Sequence, residues 1–293
     1  DIGNYGLYDF NSNDDGLAHA KNVYYVDKRL YEADVLISIP VLKNHQMVSV
    51  TGGIKNVAIG ATPSWIYGNG EGGSGRMSID HSWEPLNNWI HDYFLVKPID
   101  FVVTDGLQSL EMGPLGISPT SLEDVQMNKR LILAGKDALA VDTVHALITG
   151  VDPEKVEYFN ALSNDKVGIM DTSRINVIGN VRLNDVKELY RFPGIPWVWM
   201  NPVPRTTIYE DFEAPKVTVN NINVLNGSIN ADLESDEALV KVDIYIDGEF
   251  IDSVQQKGTE ISLYHKNDNI NKDSSIELFA YDKYLNSIQL RVN

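Results

Sequence analysis

The 293-residue chain contains no cysteine, which excludes disulfides, cysteine-ligated zinc, iron–sulfur clusters and thiol nucleophiles at once. It has no apolar run near the roughly 18 residues that a transmembrane helix requires. Positive charge is scarce: 24 Lys and Arg stand against 41 Asp and Glu, a net charge of −17. Phosphate neutralisation needs clustered Lys and Arg, so the balance argues against nucleic acid and against an anionic membrane surface. No phosphate-binding P-loop, G-x-S-x-G nucleophile elbow or H-E-x-x-H metal helix is present. No signal peptide is visible, and the chain starts at Asp1 rather than Met, so removal of an N-terminal piece is expected.

The most informative absence is local. Residues 35–70 contain no Asp or Glu, although 41 acids in 293 residues put about five in a window of 36. Lys43, His45 and Lys55 all fall inside this window. Missing carboxylates around positive groups point to a site where something anionic binds. The apolar run 34–40 reads as a buried strand ending at Pro40, which places 41–45 beyond its carboxyl end, where open α/β sheets put ligands. The following TGGIKN can open a helix with Thr51 as cap, leaving the N–H groups of Gly52 and Gly53 as an anion cradle, with Lys55 and Asn56 beside it. The competing reading is a surface loop with two solvated lysines.

Residues 1–190 alternate apolar runs with helical patterns. DVLISIP (34–40), IDFVVTDG (99–106), LILAG (131–135) and RINVIG (174–179) read as strands; 82–96, 137–150 and 153–164 read as helices. The fold class expected is α/β, a mostly parallel sheet flanked by helices. Residues 191–215 carry five prolines and read as a linker whose Trp197 and Trp199 pack on a surface, a membrane-touching segment being the less favoured option. From 216 to 293 short alternating strands with turn signals, including Asp247-Gly248, read as a small β-sandwich.

Other acids and histidines are candidates for chemistry. Asp105 and Glu111 follow the strand FVVTD and would ligate a divalent cation or pair with Lys43 or Lys55; the simpler reading is an Asp-Gly turn plus a solvated Glu. Asp142 and His145 share one helix face, with Asp137 as the N-cap of that helix. His45, Lys55 and His81 would serve as acid–base groups or ligands around an anionic substrate, with an N-cap neighbourhood as the competing role for His81. The formal G-x-G-x-x-G at Gly68, Gly70 and Gly73 follows no strand and opens no helix, so a loop or lid is expected there rather than a dinucleotide site. NSNDDG (11–16) has calcium-loop spacing, but its twelfth position is Asn22 instead of a bidentate Glu, so a polar turn is the default.

The stretches ISIPVLKNHQMVSVTGGIKNVAIGATP, DGLQSLEMGPLG and GKDALAVDTVHALITGVDP resemble the domain of unknown function family 362 over roughly residues 20–180. That family shows a strand ending in Pro, then Lys-x-His, Thr-Gly-x-x-Lys-Asn, Asp-Gly with Glu and Gly-Pro, and an Asp-x-x-Ala-x-Asp helix. Members usually carry an earlier α/β segment with a Lys-Pro-Asn element, absent here, which implies either a missing N-terminal segment, which a partner would supply, or a fold completed differently. A more distant likeness is to nickel-pincer lactate racemase, in which a His precedes by ten residues a Gly-Gly-x-Lys lysine that holds the cofactor, and a later His ligates nickel. His45, Lys55 and His81 match that pattern. Residues 214–293 resemble bacterial immunoglobulin-like modules, which implies an extracellular or cell-envelope location.

The expectation is therefore a protein whose α/β domain binds an anionic small molecule or a metal-containing cofactor. Lys43, Gly52, Gly53, Lys55 and Asn56 would bind it; His45, Lys55 and His81 would move protons, as in an isomerase; His81, Asp105, Glu111 and Asp142 would hold a metal. The rival expectation is a non-catalytic extracellular protein that self-associates or binds cell-envelope material.

Overall fold

The computed structural model describes residues 5–9, 20–21, 23–68, 76, 78–113, 121–192, 207–225, 227–267, 270–271 and 273–292. The chain divides into two compact units, residues 1–170 with 188–209, and residues 171–187 with 210–293. The calcium-loop candidate at 11–16, most of the glycine-rich loop at 68–76 and Trp197 and Trp199 lie outside the described residues.

The first unit opens with an antiparallel pair, β1 (Tyr5–Asp9) and β2 (Val23–Asp27), followed by the short helix α1 (Lys28–Tyr31). Its main sheet joins β3 (Ile37–Ser38), β4 (Val41–His45), β5 (Ser49–Thr51), β6 (Phe101–Leu110), β7 (Gln126–Met127) and β8 (Leu131–Gly135). The sheet is mixed rather than mostly parallel. β3 and β4 run parallel to β6, whereas β4–β5, β6–β7 and β6–β8 are antiparallel. Pro40 interrupts the run without ending it: its carbonyl accepts the Asp105 N–H at 2.8 Å, and pairing resumes at Val41. Residues 41–45, expected as a loop beyond the strand, are therefore themselves a strand.

The helices are α2 (Gly53–Gly60), α3 (Ser64–Tyr67), α4 (Trp83–Val96), α5 (Leu122–Val125), α6 (Ala138–Ile148) and α7 (Glu157–Asn164). In α4, Leu86, Trp89, Ile90, Tyr93 and Phe94 are buried, the i, i+3, i+4, i+7, i+8 stripe of a core-facing helix. Trp89 meets Tyr24 and Tyr67 edge-on at 5.0 and 4.8 Å and donates its indole N–H to the Ala58 carbonyl. The helix expected over 153–164 is split, a 3-10 turn at Pro153–Lys155 preceding α7. Helices α2 and α6 cover the sheet face that carries Ser38, Leu42, Val102 and Thr104. On the opposite face Ile37, Ile39, Val41 and Ile132 are exposed, so among the described residues helices do not flank both faces of this sheet.

The second unit is all-β and antiparallel: β9 (Val217–Leu225), β10 (Ser228–Ile246), β11 (Glu249–Val254), β12 (Gly258–Lys266), β13 (Ile276–Asp282) and β14 (Ser287–Val292). The 19-residue β10 organises it. Its first half pairs with β9 and β12, its second half with β11 and β13, and register breaks separate the two stretches. Ile229, Leu233, Ile261 and Leu263 from the first half share one core with Val242, Ile244, Leu278 and Ala280 from the second. Asp247 and Gly248 turn β10 into β11 with φ of 52° and 83°, the positive pair that a type I′ hairpin demands. RINVIG (174–179) is not a strand. Residues Thr172–Arg174 form a 3-10 turn, and Ile178 is exposed, so two-sided burial is lacking.

Candidate functional site

The tight return from β4 to β5 places Lys43 opposite Thr51 and His45 opposite Ser49. Because α2 starts directly after β5, its first turn is carried to the side of β4. The N-cap is Gly52, not Thr51, which stays in β5. Lys55, in that first turn, is 7% exposed and makes no hydrogen bond or ion pair with any described residue. Burial pushes its ammonium down to about 7, and the charge of Lys43 adds to the effect. Lys43 itself is lowered by burial.

His45 is buried at the end of β4. Burial, followed by the charges of Lys55, His81 and Lys43, holds its imidazole well below the ordinary value. Every charge acting on it is positive, so the sequence gap in acids is a spatial gap as well. The ring Nδ1 accepts the backbone N–H of Met47 at 3.1 Å and of Val48 at 3.4 Å. An Nδ1 that accepts is unprotonated, so His45 is a neutral ring with its proton on Nε2. His81 is the other tautomer: its Nδ1–H donates to the Ile79 carbonyl at 2.7 Å, which makes Nε2 the basic nitrogen of the neutral ring. His45 thus offers a donor and His81 an acceptor, and both His81 and the buried amine of Lys55 act on His45.

The backbone cradle is already filled. Asp142 of α6 accepts the Gly53 N–H at 2.7 Å and the Ile54 N–H at 3.0 Å, taking the position at the α2 N-terminus that the glycine pattern offers to a ligand. A Cβ on Gly52 would lie 2.2 Å from the Asp142 carboxylate, and one on Gly53 2.7 Å from Val102. The two glycines therefore serve close packing of α2 on Asp142 and β6. Asp142 is fully buried, and burial pushes its carboxyl up to about 7 against the opposing pull of the two N–H bonds. One turn on, His145 places Nε2 3.1 Å from both the N–H and the carbonyl of Lys43, tying α6 to β4.

The remaining candidates do not join the cluster. Asn56 donates to the Ser38 hydroxyl at 3.2 Å. Asp105 accepts the Leu107 N–H at 2.9 Å within its own turn. Glu111 is buried and clamped by Arg191, whose Nε and backbone N–H reach it at 2.5 and 2.6 Å. Among the described residues, no three of His81, Asp105, Glu111 and Asp142 bring ligand atoms within 4.8 Å of one another. Asp137 caps α6 as expected, accepting the Ala140 N–H at 2.9 Å.

Three further polar groupings carry no local sequence signal. His91 sits between Asp92 at 2.9 Å and Asp165 at 2.8 Å, and Tyr24 donates to Asp92 at 2.5 Å. In the second unit Asp211, Glu237 and Asp282 bring carboxylate oxygens within 4.8 Å of one another, the sole such grouping of acids or histidines among the described residues. A cavity of about 260 Å³ in that unit is lined by Arg182, Lys241, Tyr245, Glu277, Phe279 and Tyr281. Its charged groups are partnered: Glu277 by Gln289, Lys241 by Asp243, and Arg182 by Gln289 and the Phe279 ring.

Residues 7–146 match the family model described as Domain of unknown function (DUF362). The DUF362 match contains Lys43, His45, Lys55, His81 and Asp142, and ends within α6. No curated protein matches the chain. Two solved structures show slight likeness. ZmpB metallopeptidase from Clostridium perfringens is 19% identical over 30% of this chain and 18% of its own, with a TM-score of 0.22. The M60 catalytic domain of Clostridium perfringens ZmpC, in complex with the sialyl T antigen, is 16% identical over 53% of this chain and 33% of its own, with a TM-score of 0.24. The chain thus spans a third or less of either structure, and at these scores neither bears on fold or site. No described helix is long and apolar enough to cross a membrane.

Proposed function

We propose that the DUF362-matching unit binds an anionic small molecule at Lys43, His45, Lys55 and His81 and transfers a proton there. The observation that carries this reading is Lys55, a buried amine with no acceptor and no carboxylate among the described residues. A lysine in that setting is costly unless a bound anion supplies what the protein withholds. Lys43 adds charge, the His45 Nε2–H can donate, and the His81 Nε2 can take a proton, the pairing that an isomerase acting beside a carboxylate requires. A metal-containing anionic cofactor would meet the same amine and ring nitrogens, and metal analysis of protein from its source tests that variant of the reading.

Thermal shift with small anions such as lactate and inorganic phosphate tests the proposal. Anions should raise the melting temperature of the native chain, and Lys43→Met and Lys55→Met should each weaken apparent affinity at least tenfold, about 1.4 kcal/mol. Equal shifts in all three proteins would remove the site from this cluster. The second reading, a non-catalytic chain that self-associates, draws on the exposed Ile37, Ile39, Val41 and Ile132 of the uncovered sheet face. Sedimentation that shows a monomer at every concentration would discard it.

A further inference from the structure

The anion-binding reading leaves open what a buried amine does once an anion is present. Among the described residues Lys55 has no hydrogen-bond acceptor to orient it and no carboxylate to keep it charged; Lys43 is the charge that acts on it, while Lys55, His81 and Lys43 act on His45. If its sole task were to attract an anion, a lysine kept protonated by an acid or exposed to water would serve better. A dehydrated amine beside one other cation, Lys43, is instead a nucleophile. The neighbours suit an attack on carbon: the neutral His45 presents Nε2–H as a donor for a carbonyl oxygen, His81 presents a basic Nε2, and Lys43 supplies charge for a carboxylate.

Resting on the anion-binding reading, we infer that Lys55 forms an imine with an anionic carbonyl compound of the 2-oxo acid class. The unprotonated Nζ adds to the carbonyl carbon, and the carbonyl π pair moves to oxygen, which takes one of the two amine protons. The two amine hydrogens and that oxygen then leave as water while the C=N bond forms. Nothing is oxidised or reduced, and no other reactant is needed. The resulting imine next to a carboxylate withdraws electrons from the neighbouring carbon, which is the activation a proton transfer at that carbon needs. Lys55 is then a catalytic residue, and His45 and His81 are its proton donor and acceptor.

The test is reductive trapping on the full chain. Pyruvate with cyanoborohydride at pH 7, followed by peptide mapping, should label Lys55 on the order of a hundredfold faster than the exposed lysines, because far more of it is unprotonated. Acetone, which lacks the carboxylate, should label Lys55 at least tenfold more slowly, and excess lactate should protect it. Lys55→Met, checked for folding by circular dichroism, should lose the fast adduct. Labelling of Lys55 no faster than the exposed lysines, with lactate still binding by calorimetry, overturns the imine and leaves the anion site standing. Fast labelling by acetone and pyruvate alike, without protection by lactate, overturns the anion site and with it the assigned substrate class.

Discussion

Three lysines are buried among the described residues, and the two units treat them differently. In the all-β unit Lys241 is 1% exposed and donates to Asp243 at 3.0 Å, to the Ile175 carbonyl at 2.8 Å and to Asn176 at 3.1 Å. Lys187, also in that unit, donates to the Asn286 side chain and the Tyr284 carbonyl. Burial lowers Lys187 to about 8 while Asp282 and Asp211 pull it back up. Each ammonium there has acceptors, and Lys187 also serves as counter-charge to the Asp211–Glu237–Asp282 group. Lys55 in the α/β unit is as buried as Lys187, yet among the described residues has neither acceptor nor acid. The same side chain at the same depth is a structural cross-link in one unit and an unpaid liability in the other. An unpaired buried amine lowers stability, and such conflicts gather at functional sites.

Substitutions sharpen the contrast, because the two kinds of lysine should respond with opposite sign. Lys241→Met leaves Asp243 buried without its cation and should cost about 3–5 kcal/mol in urea unfolding. An unchanged midpoint would deny Lys241 its structural role. Lys55→Met should instead stabilise the chain at pH 7, on the order of 2–4 kcal/mol, because it removes a group whose ammonium is displaced from about 10.5 to about 7.

The pH dependence follows with a definite sign. Lys55 has a folded pKa below its unfolded one, so the unfolded chain binds more protons between about 7 and about 10.5. The penalty is full below about 7 and is relieved as the pH rises through that window. The stability advantage of Lys55→Met should therefore shrink from pH 7 to pH 10, measured by paired urea melts. An advantage that is constant with pH would mean that packing, not charge, produced it.

A smaller effect is expected at the capped helix. Asp142→Ala strips the acceptor from the Gly53 and Ile54 N–H groups and should destabilise by about 1–3 kcal/mol. Gly52→Ala should do the same by displacing the carboxylate. If Asp142→Ala left stability intact while abolishing anion binding, Asp142 would belong to the ligand rather than to the helix.

The smallest effect concerns His91. Burial would lower its pKa, but the hydrogen bonds to Asp92 and Asp165 and their charges raise it above the ordinary histidine value of about 6.5. The stability it contributes is fully present below about 6.5 and is lost as the pH rises through the raised folded value. The difference between the native chain and His91→Gln should therefore narrow above neutrality. A difference that widened with pH would mean that the ring is neutral in the fold.

Much of the architecture was legible because it is written in local periodicity. The α4 stripe, the α6 cap at Asp137, strand LILAG and the Asp247-Gly248 turn each depend on residues within a few positions of one another. The lack of counter-charge around Lys43, His45 and Lys55 was legible for a different reason: 36 residues without an acid withhold local carboxylates whichever way the chain bends. What periodicity misled on was extent. Pro40 looked like an end because it lacks an N–H, but its carbonyl still bonds Asp105 and the strand continues through Lys43 and His45. RINVIG alternates like a strand, yet no neighbour pairs with it.

By itself, then, the amino-acid order determined where helices and strands are favoured and which charges are withheld around Lys43, His45 and Lys55. The tertiary structure alone decided which of those groups remain unpartnered. Asp142, 89 positions from Gly53 in the chain, takes the helix N-terminus, and Arg191, 80 positions from Glu111, neutralises that acid. Partners so distant in sequence leave no local pattern, because packing on the sheet selects them rather than spacing along the chain. Their removal from the list of free groups is what leaves Lys55 alone.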